Sequence, residues 1–322
     1  MLEIVKRIEE EIREERGVAR EEALKLLKSK AHEELIELAH RLTAEYASKK
    51  FDFCAIINAR SGCCGEDCKW CAQSAHWGGA NSKVYGFIGK CACAREAKAA
   101  EANKVRRIAI VTAGRGQSKS ELDEICEAIR EMKANTSIGI CASLGIVDLE
   151  DLKKLKAAGL ERLHCNIETA PSRFGKLCST HTIEEKIATI ENAKSIGLEV
   201  CSGGIIGMGE SDEELVEFAF KLREISPTSI PVNILDPIPG TPLGDLSFLD
   251  LERILDSIAI LRIVNPAISL RFAGGRRRLD DAAAARCIYA GINSGIQGPL
   301  LTTRGSDWDD DRELAKRAGY EI

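Results

Sequence analysis

Three cysteines in one short loop carry the first chemistry that the sequence offers. After Ser61 the chain reads Gly-Cys-Cys-Gly-Glu-Asp-Cys-Lys-Trp-Cys, so Cys64, Cys68 and Cys71 form a C-x3-C-x2-C pattern. Thiolates at this spacing can hold three corners of a 4Fe–4S cubane, a cluster that normally takes four. The fourth iron is then open to a small chelating ligand. Zinc is the chemical rival, because it also favours thiolates, and His76 could complete its shell. A packing role suits these cysteines poorly, since a loop rich in glycine and charge has no core to pack into.

The whole chain must fold around that loop. It has 322 residues, 44% of them hydrophobic, enough to bury a full core. Forty-five basic and fifty acidic residues leave a net charge of −5, and no basic block stands out that would make nucleic acid a main partner. No run of 18 apolar residues suggests a membrane span. The acidic, charged start, MLEIVKRIEEEIREERG, is unlike a secretory signal, and a cytoplasmic protein is expected. Thirteen cysteines is an odd number, so metal or redox chemistry is a better reading than a disulfide framework.

Residues 1–47 read as a helical extension, with Leu24, Leu27, Ala31, Leu35, Leu38 and Leu42 at helical spacing. Residues 48–322 alternate apolar runs with amphipathic stretches. Strands are expected at 51–58, 107–113, 137–144, 162–169, 198–206, 230–236, 268–273 and 291–300. Helices are expected at 119–133, 149–158, 182–195, 212–224 and 249–264. Eight such units predict an α/β fold, a (β/α)8 barrel of the TIM type, with an open doubly wound sheet as the runner-up. One connection, 59–106, is far longer than the rest. It holds the cysteine motif and follows the C-terminal end of the first strand, the end where barrel active sites sit. In the fourth strand, His164, Asn166 and Glu168 share one face and Cys165 and Ile167 the other, so the first three can face a polar ligand.

The cysteine motif, with Trp70 before its third cysteine, resembles the radical S-adenosylmethionine superfamily. The resemblance narrows to the biotin synthase family across about residues 20–320. It is carried by the stretch from Phe53 through the cysteine loop to His76, and by Val111-Thr-Ala-Gly-Arg-Gly, Cys201-Ser-Gly-Gly-Ile-Ile-Gly-Met-Gly-Glu, Pro231-Val-Asn-Ile-Leu and Ala290-Gly-Ile-Asn-Ser. The resemblance implies a 4Fe–4S cluster that cleaves S-adenosylmethionine to a 5′-deoxyadenosyl radical, and sulfur insertion into dethiobiotin. It also implies an electron donor such as flavodoxin or ferredoxin, and a homodimer. By the same resemblance Asn166 and Glu168 hold the ribose of S-adenosylmethionine, and Lys186 stands where an arginine pairs with its carboxylate. A lysine keeps that charge but loses the bidentate fork. Asn166 and Asn233 would contact dethiobiotin, with His164 beside them where the family usually has asparagine. Each of these polar residues could instead satisfy local backbone, and Lys186 could lie on a solvated helix face.

Familiar members of the family carry a second, 2Fe–2S cluster inside the barrel, held by three strand cysteines and an arginine, which supplies the sulfur. Cys141, Cys201 and Arg271 match, but the third cysteine is replaced by Ala109. Two extra cysteines, Cys91 and Cys93, sit at the end of the long loop. The expectation is a rebuilt auxiliary cluster on Cys91, Cys93, Cys141 and Cys201, with Arg271 nearby. Four thiolates favour a 4Fe type over 2Fe–2S. In the alternative, Cys91 and Cys93 are surface residues and the auxiliary site is damaged. Cys54, Cys126, Cys165, Cys178 and Cys287 are expected to pack, and Cys63 is a poorer match to the motif. The rivals are other radical enzymes of this branch, a hydrogenase-cofactor maturase or methylornithine synthase, and a non-catalytic iron–sulfur or zinc protein. The glycines at Gly204, Gly207 and Gly209 lack the rest of a phosphate-loop pattern.

Overall fold

Alternation along the first strand shows how the chain closes. Phe53, Ala55, Ile57 and Ala59 are buried on one face, while Cys54 and Ile56 point the other way into a cavity. A strand covered by helices on one side and wrapped around an interior on the other is a barrel stave. The computed structural model describes residues 2–77, 82–301 and 308–322.

In chain order the described elements begin with helices α1 (Leu2–Arg13), α2 (Arg20–Lys28) and α3 (His32–Tyr46). The barrel follows as β1 (Asp52–Arg60), α4 (Lys90–Ala102), β2 (Arg107–Thr112), α5 (Lys119–Asn135), β3 (Gly139–Ser143), α6 (Leu149–Ala158) and β4 (Arg162–His164). Then come α7 (Pro171–Leu177), α8 (Ile183–Ser195), β5 (Glu199–Cys201), β6 (Gly204–Ile206), α9 (Asp212–Ile225) and β7 (Ser229–Ile234). The chain ends with α10 (Leu251–Val264), β8 (Ser269–Phe272), α11 (Asp281–Tyr289), β9 (Ser294–Gln297) and α12 (Trp308–Arg317).

All strand pairs are parallel, in the order β5-β4-β3-β2-β1-β9-β8-β7-β6, and a pairing of β5 with β7 closes the ring. β5 and β6 are two halves of one stave, so the barrel has eight. The expected strand 198–206 breaks between them for a steric reason. A Cβ on Gly203 would lie 2.1 Å from the Pro231 carbonyl oxygen, and one on Gly204 would lie 2.2 Å from that of Glu168. Backbones that touch this closely leave no room for a regular ladder. The last strand is also shorter than expected, at Ser294–Gln297. The long connection 59–106 contains α4, whose alanine-rich sequence favours helix.

α1–α3 join the core of the barrel helices. Ile8, Leu38 and Leu42 belong to one apolar cluster with Ile258 and Leu261 of α10, and α3 lies along α10. Among the described residues no helix is long and apolar enough to cross a membrane.

Candidate active site

The cysteine loop leaves β1 and folds back on itself. The Cys64 N–H donates to the Gln73 carbonyl at 2.9 Å, and the Ala75 N–H donates to the Cys64 carbonyl at 2.7 Å. Its other side is stitched to residues 177–181. The Lys69 N–H donates to the Leu177 carbonyl at 3.0 Å, and the Asp67 carboxylate accepts from the Ser179 and Thr180 N–H groups at 2.8 and 3.2 Å. Burial would raise Asp67, but the Ser179 hydroxyl and these amides outweigh it and hold the carboxyl well below the usual carboxylate range.

The donor set separates zinc from a cluster. Ligand sulfurs sit about 2.3 Å from a single zinc, so they must lie close together. Among the described residues, Cys64, Cys68 and Cys71 do not converge in this way; the group within 4.8 Å of one another is Cys68, Cys178 and His181. The His76 Nε2 lies 3.0 Å from the Gly65 carbonyl instead. Three spread thiols on one loop suit a multi-iron cluster. Cys178 packs in the apolar core as expected, yet it and His181 lie against the cysteine loop, which the sequence did not reveal. The Cys178 Sγ is 3.8 Å from the Cys68 Sγ and 3.3 Å from His181 Nδ1, which in turn meets the Glu66 carboxylate at 2.5 Å. Their Cys-x2-His spacing was the available signal, but nothing in sequence placed it against the first loop.

Below the loop lies a cavity of about 320 Å³. Trp70 and Cys71 line it from the cysteine loop, His164 and Asn233 from β4 and β7, and Asn166 and Glu168 from the segment that follows β4. Glu168 has a φ of 67°, a strained value for a side chain of this size. Burial raises its carboxyl, with Lys186 and Asn166 opposing. The Asn166 Oδ1 accepts from the Gly203 N–H at 3.0 Å, and its Nδ2 donates to Glu168 Oε2 at 3.3 Å. Asn233 Nδ2 donates to the Gly204 carbonyl at 3.0 Å, and its Oδ1 accepts from the Gly274 N–H at 2.8 Å. Both asparagines thus bind backbone, yet each amide keeps a second N–H and a second lone pair for a ligand. Burial, then Lys186 and Arg271, pulls His164 down to about 4, so it is a neutral imidazole at pH 7. Lys186 does not line the cavity. Burial acts to lower its pKa, but Glu168 together with Cys165, Cys68 and Cys178 outweighs this and leaves it raised.

Deeper in the cavity stand Cys54, Cys141, Cys201, Arg162 and Arg271. The expected grouping of Cys91 and Cys93 with Cys141 and Cys201 is not formed. Cys91 is exposed, and Cys93 is fully buried in the apolar core; neither lines the cavity. The reason is placement: α4 runs outside the staves, packing on β1, β2 and α5. Cys93 therefore meets the backs of the strands, not the lumen. The four-thiolate basis for a 4Fe auxiliary cluster falls with it. Conversely, Cys54, expected to pack, faces the cavity. The alternation of β1 carried that signal.

Residues 59–222 match the Radical SAM superfamily, and residues 231–321 match the Biotin and Thiamin Synthesis associated domain. A protein of Porphyromonas gingivalis named biotin synthase is 48% identical over 302 residues, covering 94% of this chain and 91% of that one. Another of that name, from Clostridium tetani, is 39% identical over 325 residues and covers 100% and 99%. Among solved structures, the FeFe-hydrogenase maturase HydG from Carboxydothermus hydrogenoformans superposes with a TM-score of 0.82 at 15% identity, over 99% of this chain and 79% of that one. Methylornithine synthase superposes with a TM-score of 0.80 at 16% identity, over 97% and 96%. At such identities these two structures speak for the barrel alone.

Proposed function

The chain belongs to the biotin synthase family of radical S-adenosylmethionine sulfurtransferases, and from that premise we propose how its residues divide the work of converting dethiobiotin to biotin. Cys64, Cys68 and Cys71 hold the 4Fe–4S cluster. With S-adenosylmethionine bound, that cluster supplies a 5′-deoxyadenosyl radical when one electron arrives. Asn166 and Glu168 orient the ribose, and Lys186 contributes positive charge beside Glu168. Asn166 and Asn233 bind dethiobiotin, Asn233 offering a donor and an acceptor to the ureido ring, with His164 as a neutral neighbour. The cavity walls exclude water and so protect a radical from side reactions. The sulfur comes from an auxiliary iron–sulfur cluster. The electron donor is a flavodoxin or ferredoxin, and the enzyme works as a cytoplasmic homodimer.

The observation that carries this reading is the open cysteine loop at the mouth of a cavity whose walls hold Asn166, Glu168 and Asn233. Anaerobic incubation with dithionite, S-adenosylmethionine and dethiobiotin tests it. Both 5′-deoxyadenosine and biotin are expected. Absence of 5′-deoxyadenosine defeats the radical chemistry, and 5′-deoxyadenosine without biotin defeats the substrate. Asn233→Ala is expected to raise KM for dethiobiotin roughly tenfold, the worth of one or two hydrogen bonds at about 1 kcal/mol each. An unchanged KM would remove Asn233 from the substrate site.

A further inference from the structure

We propose that Cys54 is a ligand of the auxiliary iron–sulfur cluster, joining Cys141, Cys201 and Arg271 in one closed layer of the barrel. The proposal rests on the function above and names the donor that replaces the cysteine missing at Ala109.

The strand register supports it stave by stave. Cys54 on β1 is opposite Arg107 on β2, and Ala109, two residues on, is opposite Cys141 on β3. Cys141 is opposite Arg162 on β4, and His164, two residues on, is opposite Cys201 on β5. Cys201 is opposite Ser229 on β7, and Pro231, two residues on, is opposite Arg271 on β8. Arg271 is opposite Ser294 on β9, and Ile296, two residues on, returns to Cys54. Four steps of two residues bring the path back to its start. This is the shear of a (β/α)8 barrel, in which alternate staves supply the four side chains of one interior layer. Here that layer is Cys54, Cys141, Cys201 and Arg271. Ala109 belongs to the neighbouring layer, with His164, Pro231 and Ile296, so a thiol at Cys54 enters the same space from the adjacent stave.

Packing gives an independent distinction. Cys93, Cys126, Cys165, Cys178 and Cys287 belong to the apolar core, whereas Cys54, Cys141 and Cys201 do not and instead line the cavity. The surrounding charge suits anionic sulfur. Arg271 is fixed by Ser229 Oγ at 3.2 Å, by the Asp52 and Gly295 carbonyls at 3.1 Å and by the Asp52 carboxylate. Arg162 reaches the Cys201 Sγ at 3.6 Å while held by Glu199. Iron binding would displace the thiol protons, and the two guanidiniums offset the charge that this leaves behind.

Anaerobic reconstitution of the full chain, followed by iron and sulfide analysis and Mössbauer spectroscopy, tests the site. Cys54→Ala is expected to lose the iron held beyond the roughly four of the first cluster, and adding Ala109→Cys to it is expected to restore that iron. The Cys91→Ala/Cys93→Ala double variant is expected to keep it. Wild-type iron content in Cys54→Ala overturns the proposal. Should Cys54→Ala misfold, Cys54→Ser replaces one sulfur ligand by oxygen: an altered auxiliary spectrum supports the site and an unaltered one overturns it. Wild-type protein separates this from the function. If it carries the second cluster but makes no 5′-deoxyadenosine, the function fails and the site stands. If it turns over while Cys54→Ala keeps all its iron, the site fails and the function stands.

Discussion

Cys71→Ala is expected to abolish 5′-deoxyadenosine formation and, with it, all biotin. The loop offers three thiolates to a cluster that normally takes four, so no ligand is spare. Losing one leaves two, and the cluster cannot be retained in a form that presents an open iron. Cys71 is the most informative of the three. Of Cys64, Cys68 and Cys71 it is the one that lines the cavity. Cys68, by contrast, has Cys178 only 3.8 Å away, a thiol that could stand in for it. The cost should be purely chemical, because Cys71 is outside the apolar core. Circular dichroism should match wild type while reconstituted iron falls by about four per chain. A Cys71→Ala variant that still produces 5′-deoxyadenosine would remove this loop from the chemistry.

Arg262→Met is expected to be the most damaging single change to the fold. Arg262 sits near the end of α10 with 0% exposure. Its guanidinium donates to the carbonyls of Gly291 at 2.6 Å, Ile268 at 2.7 Å, Pro266 at 2.9 Å and Asn265 at 3.3 Å, and to Asn293 Oδ1 at 3.0 Å. It thereby ties α10 to the segments that lead into β8 and β9. Burial lowers its pKa to about 10, so it is still charged at pH 7. Methionine has similar bulk but no donors. It would leave several buried acceptors unpaired, each worth about 1–3 kcal/mol. Several such acceptors together would take a large part of the roughly 5–15 kcal/mol that usually holds a domain together. The melting temperature of the apo protein should fall by roughly 6 °C or more. Arg262→Lys should fall between the two, because it keeps the charge and loses the fork. A melting temperature within a degree of wild type in Arg262→Met would refute this account.

The amino-acid sequence by itself determined the parts whose physics is local. The motif of Cys64, Cys68 and Cys71 could be read because its three cysteines lie on eight consecutive residues, where spacing is geometry. The barrel was legible because stave and helix periods repeat along the chain. His164, Asn166 and Glu168 do line the cavity together, but β4 stops at His164, so the expected strand 162–169 is only half formed and Asn166 and Glu168 project from the segment beyond it. Tertiary structure decided whatever depends on register between strands distant in sequence. Cys91 and Cys93 look close to the chemistry in sequence, but α4 carries them outside the barrel. Cys178 and His181 lie more than a hundred residues from Cys68, yet they pack beside it because the loop after α7 is laced to Asp67. Cys54 looks like an ordinary strand residue, and only the closure of eight staves brings it level with Cys141, Cys201 and Arg271. Spacing along a loop can be read from one segment, whereas a barrel layer exists only after every strand has paired.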